Sequence, residues 1–485
     1  MKISSKQKFI LILIVILSLF IRLYNLNSES FGYGEIETYQ AVNEYLKGNF
    51  LKNFYIFDNP PLGKYIFTAF SLINPVEIGM RLASVVFGFL AVVAVYFLAR
   101  KFYGDKTALL AAIFTAFSII HIQFSRYVQF EAMLSFFYVI TFYFFFEFLE
   151  KRTNKNAVLL GISSALGFLV KFAFIYAILT IIILCIVKKL IWIKRKPTFS
   201  LFIDNKLLKA LIVFIVVFFL IWPNSLYPIN TKITINAEGA FETHKIDINI
   251  PTLLLAFGYR FTQVNEAVTN SILLSIPVIG HFFFFLVKES FIFIIFFFLG
   301  IYAIFRKKEK NDLYLLLIVA LFFIFLWIQN VRYTYRYLTI IIPFLAIISA
   351  RAISIFKKNI QWIVIAVIFI IMLIYALVAG PSYALYYNEL QPILNIPESE
   401  GGFGVGIKDV LSSIENCSSV LTDGAYAFLI EYHYPGLASD NITNPDCVVK
   451  GRVENKKVDE FISKNNCKKE IIEKNNKILF EIYKC

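Results

Sequence analysis

The sequence predicts an α-helical, polytopic membrane protein of about 11 transmembrane helices with a small α/β domain at its C-terminal end. Two observations lead to this prediction. Hydrophobic residues make up 59% of the 485 residues and aromatic residues 18%, whereas ordinary soluble domains are roughly 45–50% apolar. The apolar residues also gather in runs close to the ~20 residues that a helix needs to cross about 30 Å of hydrocarbon.

The predicted spans follow directly from these runs. They lie at 9–26, 80–99, 107–125, 132–149, 156–170, 172–187, 208–222, 282–305, 313–329, 337–356 and 361–379. The first run follows a basic segment, so a cleaved signal peptide is an alternative. Its length and the lack of a small-residue cleavage site before Arg22–Leu26 favour a retained span.

Basic residues stand in alternate loops, and this sets the predicted orientation. The formal net charge of +14 would suit nucleic-acid binding only if the basic side chains formed one patch with exposed aromatic residues, and they do not. Basic loops collect on the cytoplasmic side of membrane proteins, so we expect the N-terminus in the cytoplasm and, after an odd number of spans, residues 381–485 outside. The basic segments are Lys2–Lys8, Arg100–Lys106, Lys151–Lys155, Lys188–Lys209, Arg306–Lys310 and Arg351–Lys358.

The cysteines support this orientation independently. Cys185 lies within a predicted span, whereas Cys417, Cys447, Cys467 and Cys485 all lie in the tail. Disulfides persist in extracytoplasmic compartments, so the tail is expected to hold two of them, and three pairings are open. The alternative is four unpaired thiols in a cytoplasmic tail.

Three segments interrupt the apolar pattern and are expected on the extracytoplasmic face. The transmembrane domain 1–380 contains a first loop at 27–79 and a large loop at 223–281, and the tail at 381–485 is the third segment. The large loop is either a plain loop, which would be unusually long, or it contains a re-entrant hairpin around 252–280. In the tail the pattern predicts helices near 406–415, 424–433 and 456–464, and strands near 418–422, near 447–453 and from 465 to the end.

Ionisable side chains recur at the outer ends of the predicted spans. Such groups cost roughly 2.5–3.5 kcal/mol each at membrane depth, so those that remain are candidates for function. A site that combines carboxylates with fixed cations suits a phosphate leaving group and a nucleophile that must lose a proton. The set comprises Glu35, Glu37, Asp58, Lys64, Arg81, Arg126, Glu131, Lys171, Lys288, Arg332 and Arg336.

Short motifs follow one another in a specific order over most of residues 1–410. They are Arg22-Leu-Tyr-Asn-Leu, Gly34-Glu35-Ile-Glu-Thr-Tyr39, Asp58-Asn-Pro-Pro-Leu-Gly-Lys64, Arg81-Leu-Ala-Ser, Ser125-Arg-Tyr-Val-Gln-Phe-Glu131, Leu-Val-Lys288-Glu-Ser and Arg336-Tyr-Leu-Thr-Ile-Ile-Ile-Pro343. Each motif is weak alone. Jointly they resemble the glycosyltransferases that use polyprenyl-phosphate sugars, namely the protein O-mannosyltransferase and aminoarabinose transferase group with the C-type glycosyltransferase fold.

The resemblance implies an inverting transfer of a sugar from a polyprenyl (dolichyl-type) phosphate to an acceptor hydroxyl of a protein Ser or Thr, a lipid or a glycan. A carboxylate would deprotonate the acceptor, and cations would hold the departing lipid phosphate. The implied catalytic residues are Glu35, Glu37 and Glu131, and the implied substrate-binding residues are Asn59, Lys64, Arg126, Lys171, Lys288, Arg332 and Arg336. No cofactor is certain; a divalent cation stays open, although the four histidines show no metal-ligand spacing.

Two positions depart from the family pattern. Gly34 stands where the family has the Asp taken to be the base, and Asn59 stands where it has a His. Another carboxylate of the set would then act as the base, or the chain would bind the donor without transferring the sugar. A membrane transporter is a further alternative, but its site would lie near the bilayer midplane. Each charged candidate also has a structural alternative as a solvated loop group or an interfacial anchor.

Overall fold

The computed structural model is a helical bundle with a five-stranded sheet at one end. It describes residues 5–48, 59–193, 205–226, 228–236, 243–251, 277–329, 335–394, 405–422, 424–440, 442, 445–451, 456–465, 467–474 and 477–485.

The helices of the bundle are numbered in chain order. They are α1 (Ser5–Leu23), α2 (Tyr33–Leu46), α3 (Leu62–Phe70), α4 (Val76–Tyr103), α5 (Asp105–Phe117), α6 (Ile119–Phe124), α7 (Glu131–Glu150), α8 (Asn154–Val170), α9 (Ile175–Ile193), α10 (Asn205–Ile221), α11 (Pro277–Lys288), α12 (Phe291–Lys307), α13 (Lys310–Ile328), α14 (Leu338–Arg351), α15 (Gln361–Ala379) and α16 (Gln391–Leu394). Short 3₁₀ turns at Phe172–Phe174 and Tyr335–Tyr337 lead into α9 and α14.

Within the described ranges, five helical segments are long and apolar enough to cross a membrane. They are Val76–Tyr103, Glu131–Glu150, Lys310–Ile328, Tyr335–Ile355 and Gln361–Ala379. The most apolar window of Tyr335–Ile355 is 89% buried and that of Gln361–Ala379 only 28%, so α14 lies in the middle of the bundle and α15 at its edge, where lipid would cover it. The prediction of a membrane protein with several apolar helices is confirmed, and the count of about 11 spans stays a prediction.

Two predicted spans are each divided into two helices, which corrects their boundaries. The run 107–125 is divided at Ser118 and the run 282–305 at Glu289. The two breaks lie against each other. The buried Glu289 carboxylate accepts hydrogen bonds from the Ser118 hydroxyl and from the backbone N–H groups of Ile119 and Ile120. These N–H groups begin α6 and have no acceptor within the helix. A charged residue inside an apolar run was therefore the sequence signal for the break.

The large loop contains a β-hairpin that the sequence analysis did not predict. β1 (Pro228–Asn236) and β2 (Thr243–Pro251) pair antiparallel along their whole length. Isoleucine or threonine alternates with other residues through most of β1, and Ile-Asp-Ile-Asn-Ile does so in β2. This period of two is typical of a strand and was the available signal. The re-entrant hairpin predicted around 252–280 lies mostly outside the described residues.

The tail forms a sheet of strand order β4-β3-β5-β7-β6, in which β3 is parallel to β4 and β5, and β7 is antiparallel to β5 and β6. Its elements are α17 (Ile407–Ser413), β3 (Val420–Leu421), α18 (Gly424–His433), β4 (Ala438–Ser439), β5 (Cys447–Lys450), α19 (Lys456–Lys464), β6 (Lys468–Lys474) and β7 (Lys477–Lys484). Two disulfides, Cys417–Cys447 and Cys467–Cys485, use all four tail cysteines. We call the end of the bundle beside this sheet the tail-side face; α1 ends there and α7 begins there.

Asp446 fixes the turn that precedes β3. Its two carboxylate oxygens accept hydrogen bonds of 2.7–2.9 Å from the backbone N–H and hydroxyl groups of Ser418 and Ser419. Burial favours the neutral acid, but the four hydrogen bonds together outweigh it and lower the pKa of Asp446 to about 2. The ionised carboxylate therefore stabilises the segment beside the Cys417–Cys447 disulfide.

We predict that Asp446→Ala lowers the free energy of unfolding of the tail by about 1–3 kcal/mol, because hydrogen bonds to a charged acceptor are lost. Since the folded pKa lies below the unfolded value of 3.8, the wild-type contribution is fully present above about pH 4 and is lost as the pH falls towards 2. Amide exchange of residues 418–422 in the full chain measures both effects. Asp459→Ala, which removes a partly exposed ion pair with Lys450, is the control and should change little. Equal effects of the two variants would contradict the assignment.

Candidate active site

Arg81, near the start of α4, organises the first loop on the tail-side face. Its Nε and Nη2 donate to the two carboxylate oxygens of Glu35 at 3.0 and 2.9 Å. Its Nη1 donates to the carbonyls of Leu26 and Glu29, and its Nη2 also donates to the carbonyl of Ser30. The five N–H donors of the guanidinium all have acceptors. Both members of the ion pair are 1% exposed, so the loop is folded around a fully buried salt bridge.

Both oxygens of the Glu35 carboxylate accept hydrogen bonds. Besides Arg81, its Oε2 accepts a hydrogen bond from the backbone N–H of Gly32 and its Oε1 one from that of Val128, both at 2.8 Å. Both carboxylate oxygens of Glu35 are thus directed at groups of the protein itself. The geometry thus favours a positioning role for Glu35, and its predicted role as the base stays a prediction.

Arg126 and Lys288, both predicted to bind substrate, donate to backbone carbonyls. The Arg126 guanidinium contacts the carbonyls that follow the end of α1, at Tyr24 (2.7 Å) and Asn25 (3.0 Å), among others. A cation there satisfies carbonyls that have no partner within the helix. The Lys288 ammonium is fully buried and donates to the carbonyl of Ala384 at 2.6 Å. These contacts favour anchoring roles, while substrate binding by either residue stays a prediction.

Three other predicted residues meet at one point of the same face. Lys171 donates to Oε1 of Glu131 at 2.8 Å, and the Nε of Arg336 lies 3.8 Å from the same oxygen. The Glu131 side chain is 0% exposed and that of Lys171 4%, whereas that of Arg336 is 34% exposed. The other carboxylate oxygen, Oε2, is buried without a hydrogen-bond partner in the described part of the chain. We call these three residues the charge cluster.

Helix ends bring the charge cluster together. Glu131 is the first residue of α7, Lys171 follows the last residue of α8, and Arg336 lies in the 3₁₀ turn before α14. Tyr337 packs between the two cations, with its ring centroid 5.1 Å from the Lys171 Nζ and 5.3 Å from the Arg336 guanidinium carbon. Two cations share one carboxylate here, so the charge cluster carries a net positive charge that suits an anionic ligand.

The remaining predicted residues lie elsewhere or are incompletely described. Lys64 is buried on α3 and donates to the carbonyl of Asn59 at 3.1 Å, and the Oδ1 of Asn59 is buried without a hydrogen-bond partner among the described atoms. Glu37 is half-buried on α2. Arg332 lies outside the described residues. The structure therefore brings together Glu131, Lys171 and Arg336 of the predicted set.

A neutral amide lies beside Gly34, the position at which the family pattern has a carboxylate. A β-carbon built on Gly34 would lie 2.7 Å from the Nε2 of Gln129. The amide group of Gln129 thus fills the space beside Gly34, and neither residue can accept the proton of an acceptor hydroxyl. Among the described residues, no three His, Cys, Asp or Glu side chains come close enough to share a metal ion, and the divalent cation left open by the sequence stays an expectation.

Two buried contributors to this face, Glu29 and Arg22, were not among the predicted site residues, although Arg22 begins one of the quoted motifs. Glu29 accepts hydrogen bonds from Ser382 and from the backbone N–H of Gly406, which are far away in the sequence. Arg22 is 0% exposed and donates to the Nδ1 of His121 at 2.9 Å and to the carbonyl of Ala116. The signal for Arg22 was its place at the end of an apolar run, where charge is costly. Glu29 had no comparable signal because its partners are distant.

We predict that Glu35→Gln lowers the free energy of unfolding by about 3–5 kcal/mol, because it leaves the Arg81 charge buried without its counter-ion. The thermal unfolding midpoint of the purified chain in detergent measures the loss. Glu44→Gln is the control, since it removes the exposed Glu44–Lys47 pair of the same helix and should cost less than about 1 kcal/mol. A midpoint for Glu35→Gln that equals that of the control would contradict a structural role for this ion pair.

Comparison with known proteins gives three results. Residues 58–223 match the family described as dolichyl-phosphate-mannose-protein mannosyltransferase. An uncharacterized protein of Aquifex aeolicus (strain VF5) is 30% identical over 173 residues, which span about a third of either protein (34% of each). ArnT from Cupriavidus metallidurans bound to undecaprenyl phosphate is 13% identical with a TM-score of 0.54, and the match covers 97% of both chains.

A second solved structure shows the same architecture. The Archaeoglobus fulgidus oligosaccharyltransferase in complex with Zn and sulfate is 15% identical with a TM-score of 0.54, over 91% of this chain and 68% of its own. At such identities the likeness establishes the fold. The resemblance predicted from the motifs is confirmed: the chain is similar in sequence to the dolichyl-phosphate-mannose-protein mannosyltransferase family over residues 58–223, and it has the C-type glycosyltransferase fold.

Proposed function

We propose that this chain is an inverting glycosyltransferase that moves a sugar from a polyprenyl-phosphate donor to an acceptor hydroxyl on the extracytoplasmic side of the membrane. The observation that carries the proposal is the charge cluster, in which Lys171 and Arg336 share the single carboxylate of Glu131. A phosphate at the head of a membrane lipid matches this excess of positive charge at the end of apolar helices.

The leaving group explains why two cations are needed. As the bond between the anomeric carbon and the phosphate oxygen breaks, a phosphodiester with one negative charge becomes a phosphomonoester with two. Lys171 and Arg336 stabilise this developing charge, which is a large contribution in a dry site. Arg336 is one-third exposed and is the member of the cluster that an incoming phosphate reaches first.

Glu131 is our candidate for the general base in place of the missing Asp at position 34. Its Oε2 has no hydrogen-bond partner among the described atoms and can accept the proton of the acceptor hydroxyl. The charges then balance, because Glu131 becomes neutral while the phosphate gains one negative charge. Lys171 and Arg336 lose their ion pairs with the carboxylate at the moment when the phosphate acquires its second negative charge, and they can then pair with the phosphate. The acceptor oxygen attacks the anomeric carbon on the face opposite to the phosphate, which inverts that centre.

The comparisons agree with this assignment without deciding the sugar or the acceptor. The matched family is described by a dolichyl-phosphate-mannose donor, and the similar ArnT structure contains undecaprenyl phosphate. Both ligands are polyprenyl phosphates or their sugar derivatives. The tail-side face is the extracytoplasmic one in this proposal, which agrees with the two disulfides beside it.

One observation favours a second candidate function, a donor-binding protein without transferase activity. Gly34 and the amide of Gln129 occupy the position of the family base. If no other carboxylate replaces that base, the charge cluster would still bind the lipid phosphate. Binding of the donor without any turnover distinguishes this candidate from the enzyme.

We predict that Lys171→Met and Arg336→Met each weaken the binding of undecaprenyl phosphate by about 1.5–3 kcal/mol, because each removes a charged hydrogen-bond donor. Titration of the purified protein in detergent measures the dissociation constant. Lys188→Met removes a lysine from the far end of α9, where it contacts the carbonyl of Leu149, and should leave the affinity unchanged. If both cluster variants bind as tightly as the control, the phosphate is bound elsewhere.

We also predict that Glu131→Gln lowers the rate of sugar transfer by about 10²–10⁴-fold, the usual contribution of a positioned base. Binding of undecaprenyl phosphate should stay equal or become tighter, because a negative charge beside two cations is removed. Transfer of label from dolichyl-phosphate-mannose to membrane proteins and lipids, together with the titration above, separates the two effects. A variant with unchanged turnover would assign the base to another residue.

A further inference from the structure

The hairpin of β6 and β7 reaches from the tail to the first loop. Lys474, the last residue of β6, forms an ion pair with Oε1 of Glu29, whose side chain is 6% exposed. The same carboxylate accepts a hydrogen bond from the hydroxyl of Ser382 at 2.6 Å and one from the backbone N–H of Gly406 at 3.1 Å. Glu29 therefore joins the first loop to three separate parts of the chain, and Lys474 is its cationic partner.

The opposite strand of the hairpin is fixed nearby. Lys477, the first residue of β7, donates to the carbonyl of Leu385 at 3.3 Å, and its ammonium lies 4.9 Å from the ring centroid of Tyr387. Lys288 lies 3.5 Å from the same centroid. The adjoining ends of β6 and β7 are thus held against the first loop and against the segment that follows α15, respectively.

A continuous series of contacts leads from Glu29 to the charge cluster. The carbonyl of Glu29 accepts a hydrogen bond from Arg81, and Arg81 is paired with Glu35. Glu35 accepts a hydrogen bond from the backbone N–H of Val128 at 2.8 Å, three residues before Glu131 begins α7. The position of Glu131 therefore depends on the turn that Glu35 holds, and that turn is connected to the tail through Glu29.

We propose that Lys474 is a positioning residue for the charge cluster, and that the hairpin of β6 and β7 acts as a latch that fixes the first loop in its active arrangement. This inference rests on the proposed function for its kinetic consequence only. Without the Lys474 ammonium, Glu29 is a largely buried carboxylate that has lost its ion pair, so the first loop moves to expose it. Arg81, Glu35 and the turn at Val128 then lose their fixed geometry.

The latch is stiff because its strands are joined at the other end. The Cys467–Cys485 disulfide immediately precedes β6 and follows β7, and the hairpin is paired along its length with one bulge. The position of Lys474 is therefore set by the tail as a whole. A small displacement of catalytic groups can cost about 10²-fold in rate, and this is the scale of effect that the latch controls.

The test compares three variants of the full chain in detergent. Lys474→Met removes the ammonium, and Lys474→Arg keeps a cation that reaches the same carboxylate. Lys469→Met is the matched control: Lys469 is on the same strand, and its ion pair with Glu481 lies within the tail at 2.6 Å. Amide hydrogen exchange is followed in α2, in residues 126–131 and in the tail, and transfer from dolichyl-phosphate-mannose is measured as kcat and KM.

Lys474→Met should raise amide exchange about tenfold in α2 and in residues 126–131, with exchange in β5 and β7 unchanged. It should lower kcat about 10–100-fold with little change in the KM for the donor. Lys474→Arg should restore both values, and Lys469→Met should match the wild-type protein. Unchanged exchange in α2 for Lys474→Met would overturn the latch whether or not the chain transfers sugar. If the wild-type protein transfers no sugar, the proposed function is contradicted but the latch is not. The latch is tested by the amide-exchange measurement, which does not depend on sugar transfer.

Discussion

The buried guanidinium of Arg81 is the group on which the tail-side face depends. Removing a charge from water is costly unless each of its N–H groups finds an acceptor. Here one carboxylate and three backbone carbonyls supply the acceptors, and all of them belong to the segment from Leu26 to Glu35. That segment must fold back over the start of α4 for the charge to be satisfied. The direction of α2 and the position of the turn at Val128 follow from this single requirement.

The same face holds two kinds of cation: those that donate to acceptors of the surrounding backbone, and those of the charge cluster. Arg81 and Arg126 direct their donors to acceptors within the protein. In the charge cluster, two cations share one carboxylate, and the Arg336 side chain keeps a third of its surface exposed. Both kinds lie at helix ends, so the sequence alone does not distinguish them. Only the arrangement of acceptors around each cation distinguishes the two kinds.

The sequence predicted what depends on local pattern. Apolar runs located most helices, and alternating short elements located tail helices such as Gly424–His433, which the structure has with the same bounds. Ordered motifs predicted the residues of the charge cluster. The breaks at Ser118 and Glu289 were not predicted: the charge of Glu289 inside an apolar run was a signal for one of them, but the contact that stabilises both lies across the bundle. The contact between Glu29 and Lys474 was also beyond prediction, since its partners lie hundreds of residues apart.

The close approach of Gln129 to Gly34 has an evolutionary consequence. With 2.7 Å between the amide nitrogen and a β-carbon at position 34, a side chain there and the present rotamer of Gln129 exclude each other. Regaining a carboxylate by mutation of Gly34 would therefore require the Gln129 amide to turn aside, which costs little because the clashing atom is the far end of a flexible, partly exposed side chain. A carboxylate at position 34 is thus a single substitution away and needs no compensating change at position 129.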